Sequence, residues 1–241
     1  MSPAVARTVT GLALAALAAG GWWCQRSGEE AKAEQTAAPS PAAEMIVAGL
    51  GGFRSIVAEV VWFRADRLQD EGRYAELAQL STWLTYLEPH TPEVWSYAAW
   101  NLAYNISVTM PTPADRWRWV HAGLRLLRDE GLRFNPRSSD LLRELAWMFE
   151  LKIGADIDSA AATYRTEWRK IVEDVRNRNA WDELGMDPRV MRRIEETTGF
   201  DDWTDPQLSA IYWGARGNCA DIVRQATVLY LRNHKKEGPA L

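Results

Sequence analysis

Apolar residues recur at helical spacing along most of the chain from about residue 45 onward. Three stripes repeat at intervals of three and four residues; they comprise Tyr74, Leu77, Leu80, Leu84 and Leu87, then Trp117, Val120, Leu124, Leu127 and Gly131, then Ala161, Tyr164, Trp168, Ile171 and Val175. This spacing is typical of the buried face of an amphipathic helix. The sequence has no convincing two-residue alternation between hairpin turns. We therefore predict an all-α fold.

Capping residues followed by proline predict where several helices begin. The four pairs are Thr91-Pro92, Thr112-Pro113, Asp187-Pro188 and Asp205-Pro206. A side-chain oxygen can accept a free N–H of the first turn, and proline suits the first helical position because no N–H is needed there. Glycine or proline predicts helix ends at Glu71-Gly72, Glu88-Pro89, Asn135-Pro136, Ile153-Gly154 and Thr198-Gly199. Short turns between such helices make neighbours antiparallel.

An uncharged apolar segment precedes the helical region. The run Val9–Trp23 follows Arg7 and is typical of a signal peptide or a signal anchor. It is short for a bilayer crossing, which needs about 20 residues. The small-x-small sequence Ala16-Leu17-Ala18 would suit a signal peptidase, whereas Trp22-Trp23 would suit an aromatic anchor at the headgroup layer. We favour a retained anchor over a cleaved signal.

Changes in composition divide the chain into four parts. Residues 1–24 form the predicted anchor, which contacts the membrane through residues 9–23. Residues 25–44 are small, polar and proline-containing, and we interpret them as a flexible tether. We predict stacked helix pairs over 45–153 and a C-terminal helical extension packed on them over 154–241.

The order of turn residues between the predicted helices resembles a tetratricopeptide repeat. Residues 62–89 read W-x2-A-x6-G-R-Y-x2-L and close on Leu87-Glu88-Pro89, and Trp95 follows Trp62 by 33 residues. The family's period is 34 residues. The resemblance covers roughly residues 55–153, and we expect an insertion around Val108–Pro113 to break the period. A short solenoid of antiparallel helix pairs is what this resemblance implies; the alternative is a generic helical bundle with tryptophans at its seams.

A second resemblance concerns the C-terminal region. Residues 187–217 read DPRVMRRIEETTGFDDWTDPQLSAIYWGARG. They are similar to the C-terminal part of bacterial membrane-anchored tetratricopeptide-like proteins, which also pair an Asp-Trp turn with an Ile-Tyr-Trp helix. This resemblance implies a bacterial protein but supplies no activity. Because Arg7 lies on the short side of the apolar run, the expected location is the inner membrane with the domain on the periplasmic side.

Charge and composition exclude some classes of function. The net charge is −4, and basic residues alternate with acids, as in the stretch 64–73, so we expect no nucleic-acid partner. The two cysteines, Cys24 and Cys219, cannot form a metal-binding pair or a disulfide framework. The 13 tryptophans are best explained by core packing, although tryptophan also enriches binding surfaces.

Motifs that carry catalysis are missing from the sequence. It contains no G-x-S-x-G or HExxH, and His90, His121 and His234 are far apart. Asp156 and Asp158 lie close together, but Asp158 is better explained as a helix cap. The glycine-rich AGLGGFR lacks the lysine of a phosphate loop, and we expect a loop or hinge there. We predict no catalytic residue, cofactor or metal, and a protein that is not an enzyme.

One segment suggests a partner-binding face. In EVWSYAAWNLAYNISV, Asn101 and Asn105 are four residues apart and lie near Trp100 and Tyr104. In tetratricopeptide domains, asparagines on the first helix of a repeat often hold a peptide backbone, because an amide both donates and accepts. The resemblance therefore implies that these four residues bind a partner. The alternative is that the two asparagines tie neighbouring helices together.

Together these features predict a non-catalytic, membrane-tethered helical-repeat scaffold that binds proteins of the cell envelope. The expected partners are proteins, among them subunits of an envelope complex. Two alternatives remain open at this stage. One is a permanent accessory subunit of a membrane complex, and the other is an envelope hydrolase that uses carboxylates.

Overall fold

A computed structural model describes residues 49–235, and all regular secondary structure within this range is helical. The helices are α1 (Arg54–Asp70), α2 (Tyr74–Leu87), α3 (Pro92–Trp100), α4 (Pro113–Arg125), α5 (Ser139–Trp147), α6 (Ala161–Arg178), α7 (Pro188–Thr198), α8 (Pro206–Arg216) and α9 (Ala220–Lys235). The prediction of an all-α fold is confirmed. The predicted anchor and tether, 1–24 and 25–44, lie outside the described residues. None of the helices between residues 49 and 235 combines the length and the apolarity that a bilayer crossing requires.

A proline at the first helical position marks where four of the helices begin. As predicted, α3, α4, α7 and α8 each start at a proline. The side chains of Thr112, Asp187 and Asp205 accept the N–H of the second or third helical residue, at 3.1, 2.8 and 2.8 Å. Thr91 precedes α3 without such a bond. Gly199 ends α7 with φ +72°, a conformation that residues with a Cβ adopt at a cost.

Three of the helices continue into π-helices of six residues each. These are Asn101–Ile106 after α3, Leu126–Gly131 after α4 and Met148–Ile153 after α5. In the region of the expected insertion, Val108–Pro113, a short 3-10 turn, Ser107–Thr109, and the non-helical residues Met110–Thr112 lead into α4. π-Helical segments are rare and are often found at functional sites.

Alternate helices form two layers in the middle of the chain. α1 contacts α2, α2 contacts α3 and α3 contacts α4. In addition α3 contacts α5, α5 contacts α8, and α4 contacts α6. One layer therefore contains α3, α5 and α8, and the other contains α4 and α6. In a regular solenoid each helix pair stacks on the pair that precedes it in the chain. The contact of α5 with α8 differs from this order, because two helices, α6 and α7, lie between them in the sequence.

The buried side chains form two hydrophobic clusters. The smaller cluster joins α1, α2 and Val94 of α3, and the larger cluster extends from Trp95 to Tyr230. Tyr74 packs against both clusters. The larger cluster crosses the predicted boundary at residue 153, so helices on both sides of it share one core. Every residue of α8 from Pro206 to Gly214 is buried.

Tryptophan serves mainly as a core residue in the described range. Six of its eleven tryptophans are buried: Trp95, Trp117, Trp168, Trp181, Trp203 and Trp213. Trp83 and Trp147 are exposed, and the remaining three are partly buried. Core packing thus explains most tryptophans, and the others are available for a surface role.

The glycine-rich segment before α1 is helical, which corrects the expectation of a loop. Gly49 and Leu50 are helical, and Gly51–Phe53 form a 3-10 turn that leads directly into α1. Gly51 has φ +48°, so the chain bends between the two helical stretches at this residue.

Candidate functional site

Partly buried aromatic rings form a row across α1 and α3. The ring centroid of Trp62 on α1 lies 4.9 Å from that of Tyr97 on α3. Further along, the rings of Trp100 and Tyr104 stack at 5.8 Å with an interplanar angle of 20°. Tyr97, Trp100 and Tyr104 are spaced i, i+3 and i+7, which places them on one side of the helix. We call Trp62, Tyr97, Trp100 and Tyr104 the aromatic row.

Polar groups hold the aromatic row in place at its α1 end. The Tyr97 hydroxyl donates to the side-chain oxygen of Gln69, near the end of α1, at 3.1 Å. Burial raises the pKa of Tyr97, so this hydroxyl keeps its proton and remains a donor. The row therefore combines large apolar rings with a fixed polar contact.

The two predicted asparagines have different environments. Asn101 has no exposed area; its amide donates to the Ser81 hydroxyl of α2 at 3.5 Å and its oxygen accepts from Asn105 at 2.6 Å. A fully buried side chain cannot touch a partner in this conformation. For Asn101 the structure favours the alternative, a tie between neighbouring helices. A direct role for Trp100, Tyr104 and the partly buried Asn105 stays a prediction.

A buried lysine lies behind Tyr104. Lys152 is only 3% exposed, and its Nζ is 5.0 Å from the ring centroid of Tyr104 and 5.8 Å from that of Tyr164. Its Nζ donates to Asp158 Oδ2 at 2.6 Å. A buried ammonium group needs a counter-charge, and aromatic faces add cation–π attraction. We call Lys152, Asp158 and Tyr164 the lysine cluster.

Asp158 is the acceptor at the centre of the lysine cluster. Besides Lys152, it accepts from the Tyr164 hydroxyl at 3.1 Å, from the Ala160 N–H at 2.9 Å and from Arg116 at 3.5 Å. Burial alone would raise the pKa of Asp158, but the hydrogen bonds from Lys152 and Ala160 hold it below its ordinary value. The predicted capping role is wrong, because Ala160 is the N-cap residue of α6 and no side chain caps this helix. Asp158 joins α4, α5 and α6.

Two acidic groups, the buried Glu150 and the partly buried Glu144, act on Tyr104. Burial, aided by the charges of Glu144 and Glu150, raises the pKa of Tyr104, so the phenol stays neutral. Burial also raises the pKa of both glutamates, to which Asp221 contributes at Glu150. Among the described residues, the Tyr104 hydroxyl and Glu144 Oε1 have no hydrogen-bond partner. Tyr104 therefore lies between the buried cation Lys152 and the influence of two carboxyl groups, Glu144 and Glu150.

The aromatic row lies outside two open cavities of the described region. One open cavity of about 470 Å³ lies at the start of α5, bordered by Pro92 and residues 135–140. A second, of about 380 Å³, lies between the 3-10 turn before α1 and the end of α2. A row of rings on a surface suits contact with a macromolecule better than enclosure of a small ligand.

Sequence reasoning missed the lysine cluster. The segment Met148–Ile153 places Glu150 and Lys152 between apolar residues, and both side chains are buried. These two charged residues inside an apolar run were the only indication in the sequence that a buried charge is present. Its partners could not be deduced, because Asp158 and Tyr104 approach Lys152 only through the turn after α5 and the packing of α3 on α5.

Comparisons with protein-family models, with curated proteins and with solved structures found no significant match to the chain.

Proposed function

We propose that this protein is a non-catalytic, membrane-tethered scaffold of stacked helix pairs that binds another protein of the cell envelope through the aromatic row. The observation that supports this proposal is the row itself, four partly buried rings on two neighbouring helices. Tryptophan and tyrosine dominate the energetics of protein interfaces, because each buries a large area while few torsions are fixed.

The arrangement of the helices is compatible with a tetratricopeptide-like solenoid. In such a solenoid the first helices of successive pairs line one concave side. α1 and α3 would be first helices in this scheme, and both carry members of the aromatic row. α5 follows α3 in the same layer and places the exposed Trp147 one turn after Glu144.

The lysine cluster supports the proposal through rigidity. Lys152 and Asp158 fix the end of α5 and the following turn directly behind Tyr104. A surface that is already ordered before binding loses less conformational entropy when a partner docks. In this proposal the cluster is a positioning element for Tyr104 and Trp100.

Site-specific photo-crosslinking in intact membranes tests the binding role. A photo-reactive phenylalanine analogue replaces Trp100, and in a matched control it replaces Trp83 of α2, an exposed tryptophan outside the row. We expect one discrete protein adduct from position 100 and none of that mass from position 83. Equal crosslinking from both positions, or no adduct from position 100, would overturn the proposal.

The same experiment separates an adaptor from a permanent accessory subunit. If the chain is a transient adaptor, only a minor fraction of it forms the adduct, and the partner dissociates in a salt wash when the crosslinker is not activated. A permanent subunit stays bound in a fixed ratio through solubilisation, as obligate interfaces do. The first outcome supports the proposed adaptor and the second supports the alternative.

Fractionation tests the membrane tether. Immunoblots of membrane and soluble fractions should show the full-length chain in the inner membrane, exposed to protease only from the periplasmic side. A shortened and wholly soluble product would show that residues 1–24 act as a cleaved signal and would overturn the anchor.

A further inference from the structure

α1 is apolar on two opposite sides. One side packs on α2 through Ala58, Val61, Ala65 and Leu68. The other side exposes four large apolar side chains, Phe53 at the start of the helix and then Ile56, Val60 and Phe63, with 52, 49, 54 and 70% of their areas accessible. Spacings of three, four and three residues place them on one stripe. We call this stripe the outer face of α1.

A stripe of this kind is unusual on a protein surface. Soluble proteins rarely expose contiguous apolar patches of more than a few hundred Å², and such patches are often interaction sites. Between residues 49 and 235, α1 packs on α2 and reaches α3 through Trp62. The outer face therefore needs a partner from beyond the described residues.

We propose that the outer face of α1 lies against the lipid bilayer to which the chain is tethered. This inference rests on the proposed membrane anchor. Residues 24–48 separate the apolar run Val9–Trp23 from the start of the described helices. If residues 25–44 form the predicted tether, a chain of this length has an end-to-end distance of about 25–30 Å, which keeps α1 within reach of the headgroups.

The proposed anchor favours lipid over a second protein as the occupant of the outer face. A helix tethered to the membrane needs less buried area than a free partner would, because the anchor keeps it at high effective concentration beside the bilayer. Interfacial helices bury an apolar side by about 5–10 Å in the headgroup region.

The charges on α1 indicate how it would bind. Arg64 and Arg67 follow Phe63 at the end of the stripe, and their long stems can lie along an apolar surface while the guanidinium groups reach water. Glu59 and Asp66 are exposed along one edge. With acids and bases balanced, apolar insertion drives the contact, and attraction to anionic lipid contributes little.

This placement is compatible with partner binding through the aromatic row. Trp62 points to α3, and helical geometry places it well over 100° around α1 from Ile56 and Val60. With the outer face on lipid, Trp62 and the rest of the row remain accessible from the aqueous side.

A fluorescent label on the full-length chain in phosphatidylcholine vesicles tests the inference. On a Cys24→Ser background, Val60→Cys carries an environment-sensitive fluorophore, while the native Cys219 is buried. Val228→Cys on α9 is the matched control, a valine on another helix that is 64% exposed. We expect spin-labelled lipid to quench position 60 at least about threefold more than position 228, with little dependence on salt.

Flotation of the vesicles in the same samples separates this inference from the tether. If the chain floats but positions 60 and 228 are quenched equally, the lipid contact is wrong while the anchor stands. If the chain does not float, both are wrong. A third outcome is a blue shift of the fluorescence emission at position 60 that increases with protein concentration, without quenching by spin-labelled lipid. This would show that the outer face contacts a second copy of the chain, and it would overturn the inference.

A double substitution gives a second test. Ile56→Ser with Phe63→Ser should lower lipid quenching at position 60 to the level of position 228, while flotation through the anchor is unchanged. Val228→Ser should leave quenching at position 60 unaffected. Unchanged quenching in the double variant would contradict an apolar contact through the outer face.

Discussion

Lys152 and Asp158 form an ion pair with both side chains almost fully buried, at 3 and 6% exposure. Replacing Lys152 by methionine keeps the volume but leaves the Asp158 carboxylate without its main counter-charge. We expect the free energy of unfolding to fall by about 3 kcal/mol, measured by urea titration at neutral pH.

A control variant distinguishes the buried pair from a surface pair. Lys170 contacts Glu167 at 2.7 Å on the exposed side of α6. Lys170→Met should change stability by less than about 1 kcal/mol, because exposed ion pairs contribute little. Similar losses in both variants would show that the lysine cluster does not stabilise the fold.

His121 should make stability sensitive to mild acid. Burial, with Arg128 and Arg125 nearby, lowers the pKa of His121 to about 4, and the ring stacks on Trp117. The unfolded chain binds this proton near pH 6.5, so stability is full above that pH and is lost as the pH falls towards 4. Between pH 8 and pH 5, protonation of His121 in the unfolded chain lowers the free energy of unfolding by about 2 kcal/mol.

Urea unfolding at the two pH values checks this effect of His121. The His121→Leu variant keeps an apolar side chain that does not titrate, so its loss between pH 8 and pH 5 should be smaller than that of the wild type. An equal loss in both proteins would assign the acid sensitivity to other groups.

We expect substitution of Asn101 to lower the stability of the fold and not to weaken partner binding directly. Asn101→Ala removes the acceptor of the Asn105 amide, and the cost of the lost buried contacts is about 2 kcal/mol. Crosslinking from position 100 should persist at temperatures where the variant is folded. If crosslinking is lost while thermal stability is unchanged, Asn101 contacts the partner after a local rearrangement.

Among the elements, the contact between α5 and α8 depends on a glycine. A Cβ at Gly154 would lie 2.2 Å from the amide nitrogen of Gln207 and 2.7 Å from the carbonyl oxygen of Phe149. Gly154→Ala should therefore disturb the bond from Gln207 to the Glu150 carbonyl, measured at 3.0 Å. We expect a loss of about 2 kcal/mol in the free energy of unfolding.

Gly52→Ala provides the control for Gly154→Ala. A Cβ at Gly52 meets no atom within 4 Å, and this residue lies in a 3-10 turn without a positive φ. Its stability in urea should equal that of the wild type or rise slightly, since alanine restricts the unfolded chain. A loss at Gly52 as large as that at Gly154 would contradict the packing argument.

Helix boundaries were predictable because their causes are local. A capping side chain and a proline act within one turn, and α4, α7 and α8 begin where Thr112, Asp187 and Asp205 predict. The π-helical segments were not predictable, because their backbone depends on packing between helices. Burial of Asn101 and Lys152 was missed for the same reason, since each is buried by residues that are distant in sequence.

At the scale of the whole molecule, two hydrophobic clusters imply two levels of stability. The smaller cluster contains nine buried residues and meets the larger one at Tyr74. Segments with fewer buried contacts open at lower free energy. We expect amides of α2 to exchange with deuterium at least about tenfold faster than those of α8, measured by mass spectrometry of the full chain. Equal rates would show that both clusters unfold together.

The burial of residues 206–214 in α8 has a consequence for biosynthesis. Residues 206–214 lie near the end of the 241-residue chain, yet they pack against α5 and α9 in the larger cluster. Domains fold as their residues leave the ribosome, from the N-terminus onward. α3, α4 and α5 must therefore wait, without their final neighbours, until residues 206–214 have been translated. For a chain exported as proposed, this delay keeps the nascent polypeptide open enough to cross the membrane before its core closes.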